Sequence, residues 1–229
     1  FSSGRFLMFT PLLDGQPFPH AVGKMVCVGR NYAEHAKELN NPVPSAPILF
    51  IKPADAAVPV EPAFAIPTDR GAVHHEVEVA VLIGQRLQNA DEAAVAAGIA
   101  GVGLGLDLTL REVQDGLKSK GQPWEIAKAF DGACPLTGFV SASRVQNWQE
   151  LNLTLTRNAV LQQQGNSSAM LFPILPLIAY ISRIFTLNPG DVIMTGTPAG
   201  VGPLQPGDEL QLNLQDWLSV STCVTAAPH

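Results

Sequence analysis

The chain is poor in cysteine. Its three, Cys27, Cys134 and Cys223, lie far apart and in no Cys-x-x-Cys arrangement. An odd, scattered set supports neither a disulfide framework nor a zinc ribbon, and it fits a reducing, cytoplasmic setting. A basic run is also missing: 14 Lys+Arg stand against 20 Asp+Glu, for a formal net charge of −6. That argues against nucleic acid and anionic membrane as partners, and an anionic ligand would depend on cations gathered locally. Long hydrophobic runs are absent as well. The most apolar stretch, residues 170–181, holds Pro173 and Pro176 and is soon followed by Arg183. A membrane span needs roughly 20 apolar residues, so this stretch reads as a buried helix. Residues 1–6 carry no long apolar core and no signal-cleavage pattern and are left out of the fold expectation.

What is present is enough apolar chain for a large core: 46% of the 229 residues are hydrophobic and 15% charged. Residues 24–28 form a short apolar run ending at Gly29, and residues 32–39 then have helix-forming composition until Asn40, Asn41 and Pro42 stop it. Seven prolines between residues 42 and 70 leave room only for a short strand at residues 48–51. Asp91 and Glu92 open a helix over residues 91–97, and the glycine-rich residues 98–108 read as a strand pressed against another backbone. Thr109, with Glu112 three residues on, predicts a capping box at a helix start. Residues 151–156 and 209–214 alternate strictly, as half-exposed antiparallel strands do, and Pro-Gly-Asp turns at 189–191 and 206–208 each launch a strand. With no fixed repeat and no linker, residues 21–229 are expected to form one mixed, β-rich domain, preceded by an extension or short strand region at residues 1–20.

Residues 74–84 carry the most informative chemistry. Glu76 and Glu78 sit two apart on an otherwise apolar strand, so both carboxylates face one side and Val77, Val79 and Val81 the other. A sheet that buries either face must supply a counter-charge or leave the acids neutral, and a divalent metal is the simplest. Asp107, where the run at 101–106 gives way to helix, is a third candidate ligand. Three carboxylates without a cysteine cluster suit a hard ion, Mg²⁺ or Mn²⁺. An exposed edge face explains the Glu-x-Glu pattern equally well, and His74 and His75 read either as ligands or as structural histidines.

Three carboxylates outweigh a divalent ion, so an anionic substrate needs a further cation. Lys128, set among alanine and aromatic residues at 124–130, is the candidate; a lysine snorkelling beside the core is the other reading. His35 and Glu38 lie side by side on the short helix, either as a general base with its orienting carboxylate or as a surface ion pair. Residues 195–202 end an apolar strand in small residues that suit backbone amides and a threonine hydroxyl against a carboxylate, or form a plain tight turn. They lack the ending of a nucleotide-binding P-loop.

In order, residues 26–35 (Val-Cys-Val-Gly-Arg-Asn-Tyr-Ala-Glu-His), 74–78, 106–114, 121–124, Lys128 with Phe130, 195–198 and 200–202 resemble the fumarylacetoacetate hydrolase family. The likeness is greatest to its short, single-domain acylpyruvase branch and covers about residues 24 to 215. The resemblance implies an α+β, β-rich fold, a mixed β-sandwich roll of that family's C-terminal-domain type, and a homodimer. It implies Mg²⁺ held by Glu76, Glu78 and Asp107, with Mn²⁺ or Ca²⁺ as substitutes. It makes His35 and Glu38 a dyad on a lid-like segment, sets Lys128 and Gln114 against the reacting carbons, and gives Arg30, Arg111 and Thr197 to substrate binding. The length leaves no room for the extra N-terminal domain of the larger members. The expected activity is metal-dependent hydrolysis of the C–C bond of acylpyruvates, small anionic 2-oxo acids. The alternatives are oxaloacetate tautomerisation or decarboxylation, a 5-carboxymethyl-2-hydroxymuconate isomerase-type activity and, remotely, a non-catalytic binding β-roll.

Overall fold

The computed structural model describes residues 8–38 and 43–228, with side chains for all of them except residues 35 and 36. Its helices are short and few: α1 (Ala33–Glu38), α2 (Glu92–Gly98), α3 (Arg111–Ser119), α4 (Glu125–Lys128) and α5 (Ile174–Ile184). Strands make up most of the remaining regular structure, as the expected β-rich class requires.

The larger sheet runs in the order Ile48–Lys52, Met25–Gly29, Val192–Met194, Val77–Ile83, Ile99–Leu106, Cys134–Leu136, Ala57–Pro59, and Val140–Ser141 also pairs with Ile99–Leu106. It is mixed, because Val192–Met194 lies parallel to Met25–Gly29 and antiparallel to Val77–Ile83. A second sheet, ordered Val160–Asn166, Asn152–Arg157, Glu209–Leu214, Leu218–Ala226, Ala63–Ile66, packs on its central strands. Alternation explains the packing. Leu153, Leu155, Leu210, Leu212 and Leu214 are buried, while Glu209 and Gln211 between them stay exposed. Every residue of Val77–Ile83 is buried, which is why that strand reads as a nearly unbroken apolar run. Both Pro-Gly-Asp turns precede strands, Val192–Met194 and Glu209–Leu214, as expected.

Three elements depart from the sequence expectation. Residues 74–84 are not one strand: Val73–His75 leaves the large sheet to pair with Thr109–Leu110 and Gly202–Pro203, and Val77–Ile83 starts only after Glu76. The neighbouring chain breaks at the same level, where the Asp107 N–H donates to the Glu76 carbonyl at 2.9 Å. The capping box is not formed. Thr109 lies in strand, α3 begins at Arg111, and the Thr109 hydroxyl donates to the Asp107 carbonyl at 3.0 Å. The buried apolar helix begins at Ile174, after an extended Pro173, and Met170 bridges to Tyr32 instead. In the N-terminal region Leu12–Leu13 pairs with Gln16–Pro17, and residues 1–7 lie outside the described residues. No helix among the described residues is long and apolar enough to cross a membrane.

Candidate active site

The paired breaks gather three acids. Glu76, Glu78 and Asp107 are all buried and present carboxylate oxygens that lie within 4.8 Å of one another. They form the floor of a cavity of about 410 Å³, its open mouth included, that Arg30, Arg111, Gln114, Lys118, Lys128 and Thr197 also line.

Three cations answer these acids, where the sequence pointed to one. Lys128, 3% exposed, donates to Glu76 Oε2 at 2.9 Å, Asp107 Oδ2 at 2.7 Å and the Thr109 hydroxyl at 2.6 Å. All three ammonium hydrogens are therefore engaged with the floor. Burial alone would lower the pKa of Lys128, but Asp107 and Glu76 outweigh it and hold it above the usual lysine value, so the ammonium stays charged. Arg111 pairs with Glu76 Oε1. The third cation, Lys52, ends the edge strand Ile48–Lys52, is fully buried and sits 2.8 Å from Asp107 Oδ1. Its ammonium also donates to the carbonyls of Lys128 and Ala133, tying the floor to the end of α4. Sequence reading missed Lys52, because a lysine closing a short strand in a proline-rich region looks solvent-facing.

Glu78 is the least compensated acid. Burial first, then the charges of Asp107 and Glu76, push it well above the usual carboxylate range, against the Gly196 N–H, which it accepts at 2.7 Å, and against Lys128. Gly196 is required there: its φ is +97°, and a Cβ would meet Asn31 Cβ at 2.6 Å. Asn31 in turn donates to the carbonyls of Thr195 and Phe172 and accepts from Phe172 N–H, which fixes the chain between Arg30 and α1.

Thr197 is held by a second residue that the sequence did not reveal. Gln163, fully buried on Val160–Asn166, accepts from Val77 N–H at 3.0 Å and faces His75 Nδ1 at 2.9 Å. Its amide donates to Thr197 Oγ1 at 2.7 Å and to the Pro198 carbonyl at 2.8 Å. Thr197 donates its own hydroxyl proton to the Val77 carbonyl at 2.8 Å, so toward the cavity this oxygen is an acceptor. His75 therefore faces Gln163 and not the carboxylates, and burial lowers its pKa. Burial, followed by Arg111, lowers His74 to about 4. Both histidines follow the structural reading.

Helix α3 presents Arg111, Gln114 and Lys118 at i, i+3 and i+7, a single stripe along the cavity wall. Gln114 accepts from Arg111 at 2.9 Å through its carbonyl oxygen, and the amide of this cavity-lining residue makes no hydrogen bond among the described residues. Arg30, directly after strand Met25–Gly29, lines the same cavity and has a positive φ of 60°. On α1, Glu38 is exposed and accepts from Gly200 N–H at 3.0 Å. The His35 side chain lies outside the described residues.

The donor set fits a hard divalent ion: the group holds only carboxylate oxygens, they are buried, and Glu78 lacks the counter-charge it needs to ionise. Fold and site together define a β-rich protein with a buried carboxylate centre between broken strands, ringed by cations. The chain belongs to the fumarylacetoacetate hydrolase family: the model for the fumarylacetoacetate (FAA) hydrolase C-terminal domain matches residues 24–225. Oxaloacetate tautomerase YcgM of Escherichia coli (strain K12) is 52% identical over 212 residues, 92% of this chain and 96% of that protein. A crystal structure from Oleispira antarctica, named only provisionally as a fumarylacetoacetate isomerase/hydrolase, is 60% identical with a TM-score of 0.92, covering 95% of this chain and 100% of that one. Fumarylpyruvate hydrolase from Pseudomonas aeruginosa, solved with Mn²⁺ and pyruvate, is 33% identical with a TM-score of 0.87, covering 95% of this chain and 97% of that one.

Proposed function

We propose that this protein is a divalent-metal-dependent oxaloacetate tautomerase, with Glu76, Glu78 and Asp107 as the metal ligands. The observation that carries the reading is the charge balance at the floor. Three buried carboxylates meet three buried cations, Lys52, Lys128 and Arg111. A divalent ion added to that balance would leave the floor net positive, which suits the carboxylate and 2-oxo oxygens of a 2-oxo acid such as oxaloacetate. The 52% identity to a protein named oxaloacetate tautomerase supports the same substrate. When bound, the metal supplies Lewis-acid stabilisation of negative charge on the 2-oxo oxygen, the charge shared by keto and enol interconversion. Mg²⁺ and Mn²⁺ both suit an all-carboxylate set, and the Mn²⁺ of the Pseudomonas relative supports a site tolerant of either.

The chain's own residues orient and discharge the substrate. Gln114 directs its amide donors at the oxygen that gains charge, and Arg111 keeps that amide from turning. Lys128 keeps its positive charge beside the Glu76 and Asp107 oxygens that would hold the metal, where it would offset negative charge on the substrate. Thr197 accepts a hydrogen bond from the substrate side, which suits an enol hydroxyl.

Acylpyruvate hydrolysis is the second reading, favoured by the Pseudomonas relative named fumarylpyruvate hydrolase. It adds a water activated by His35, oriented by Glu38. Presenting the enzyme with freshly dissolved enol oxaloacetate and with acetylpyruvate, each with and without Mg²⁺ or Mn²⁺, separates the two. Metal-dependent acceleration of enol loss well above acetylpyruvate cleavage supports the tautomerase; cleavage with uncatalysed enol decay contradicts it. Homodimerisation is likewise a proposal, checked by light scattering on the eluting protein.

A further inference from the structure

The inner cations are all paired, but the mouth of the cavity holds positive charge that the floor does not use. Lys118 lines the cavity from the last turn of α3, seven residues beyond Arg111 and on the same stripe, roughly 10 Å farther out at 1.5 Å per residue. Its ammonium lies 5.9 Å from the Trp124 ring centre, and Trp124 meets Phe50 edge-on at 5.8 Å between ring centres. The aromatic pair lines the cavity and sets a ring face beside the ammonium. Lys118's acidic neighbour is Asp115, 3.5 Å distant and with a 62% exposed side chain, a weak pair in solvent. Arg111 and Arg30 add like charge around it; burial is the largest influence lowering its pKa, and both arginines push the same way. Arg30 is the other cation at the mouth, and no ion pair holds it among the described residues.

A monoanionic 2-oxo acid gives this outer charge nothing to bind. Its carboxylate and 2-oxo oxygens belong at the floor, and its far end is neutral. A 2-oxo acid with a second carboxylate places that group up the α3 stripe, against two half-buried cations of like charge.

We propose that Lys118, with Arg30, is the receptor for the second carboxylate of the substrate, so that the site selects 2-oxo dicarboxylates over monoanionic 2-oxo acids. This rests on the reading of the floor as a metal and 2-oxo acid centre and adds the specificity at its mouth. Lys118 enters no step of the chemistry.

The test is binding, which does not depend on turnover. With Mn²⁺ present, calorimetry compares 2-oxoglutarate, a dianion, with 2-oxopentanoate, a monoanion of the same chain length, on the wild type, Lys118→Met and Lys118→Arg. The wild type is expected to favour 2-oxoglutarate by about tenfold or more, the scale of one charge-assisted hydrogen bond. Lys118→Met removes that preference and leaves 2-oxopentanoate within about twofold, whereas Lys118→Arg retains much of it. Kinetically, Lys118→Met raises KM for oxaloacetate and spares oxaloacetate 4-ethyl ester, in which an ethyl ester replaces the second charge. Equal wild-type affinity for the two acids, or equal weakening of both in Lys118→Met, overturns the proposal. Selective binding of 2-oxoglutarate without oxaloacetate turnover leaves this receptor standing and removes the tautomerase reading.

Discussion

At Glu78, burial and two neighbouring carboxylates favour the proton-bound form of the metal-free protein. A raised folded-state pKa stabilises the protein below the ordinary value of 4.5, and that stability is lost as pH rises through the raised value. A divalent ion reverses the preference, so metal binding must expel a proton. Titrating Mn²⁺ into the protein near neutral pH, in two buffers of different ionisation enthalpy, is expected to show proton release in the wild type and none in Glu78→Gln. His74 has the opposite sign. Its folded value of about 4 lies below the ordinary 6.5, so its contribution is present above 6.5 and lost as pH falls toward 4. Replacing it by Gln should flatten the melting temperature across that window; an unchanged acid limb contradicts a neutral, half-buried His74.

Among the elements, the edge strand Ile48–Lys52 does more than close the sheet. Lys52 braces Asp107 and the carbonyls at the end of α4, so Lys52→Ala leaves a buried carboxylate without its partner. Breaking a buried pair this way costs about 3–5 kcal/mol, or roughly 6–20 °C in a chain of this size. Thermal unfolding reads this directly, and Lys52→Met should lose less. On the facing sheet, Gln163→Glu keeps the acceptor used by Val77 and His75 but loses the donors to Thr197 and Pro198. The expected result is a folded enzyme whose KM for oxaloacetate rises several-fold, about 1 kcal/mol of lost orientation. An unchanged KM argues that Thr197 does not meet the substrate.

These elements also show what the sequence could and could not reveal. The alternation in residues 151–156 and 209–214 and the Pro-Gly-Asp turns are local, and they predicted their strands. Glu76, Glu78, Asp107 and Lys128 stood out because acid or base in an apolar run demands a partner. The break at Glu76 was hidden because it exists only when the chain at Asp107 breaks beside it. Lys52 and Gln163 were hidden for a related reason. Their partners lie 34 or more residues away, and neither Lys nor Gln is unusual where it stands. The Thr109 capping box failed because Thr109 serves Lys128 and Asp107, a tertiary demand stronger than a helix cap.

At the scale of the whole molecule, a chain with a net charge of −6 gathers cations at one place, where Lys52 of the edge strand, Arg111 of α3 and Lys128 of α4 meet carboxylates on and beside the central strands. The two sheets hold that arrangement before any ligand binds, so ligand binding should stabilise the fold as a unit. Mn²⁺ is expected to raise the melting temperature, and oxalate, a mimic of the 2-oxo acid end, to raise it further only when Mn²⁺ is present. Stabilisation by oxalate in a chelator contradicts a metal-built floor. The most direct measurement is calorimetric titration of Mn²⁺ into the wild type and Glu78→Ala, with each enzyme's rate of enol oxaloacetate loss recorded on the same samples. The account predicts one site per chain in the wild type, with its loss in the variant accompanied by a fall in rate of at least about 100-fold. Equal Mn²⁺ binding by both proteins, or an undiminished rate in Glu78→Ala, contradicts it.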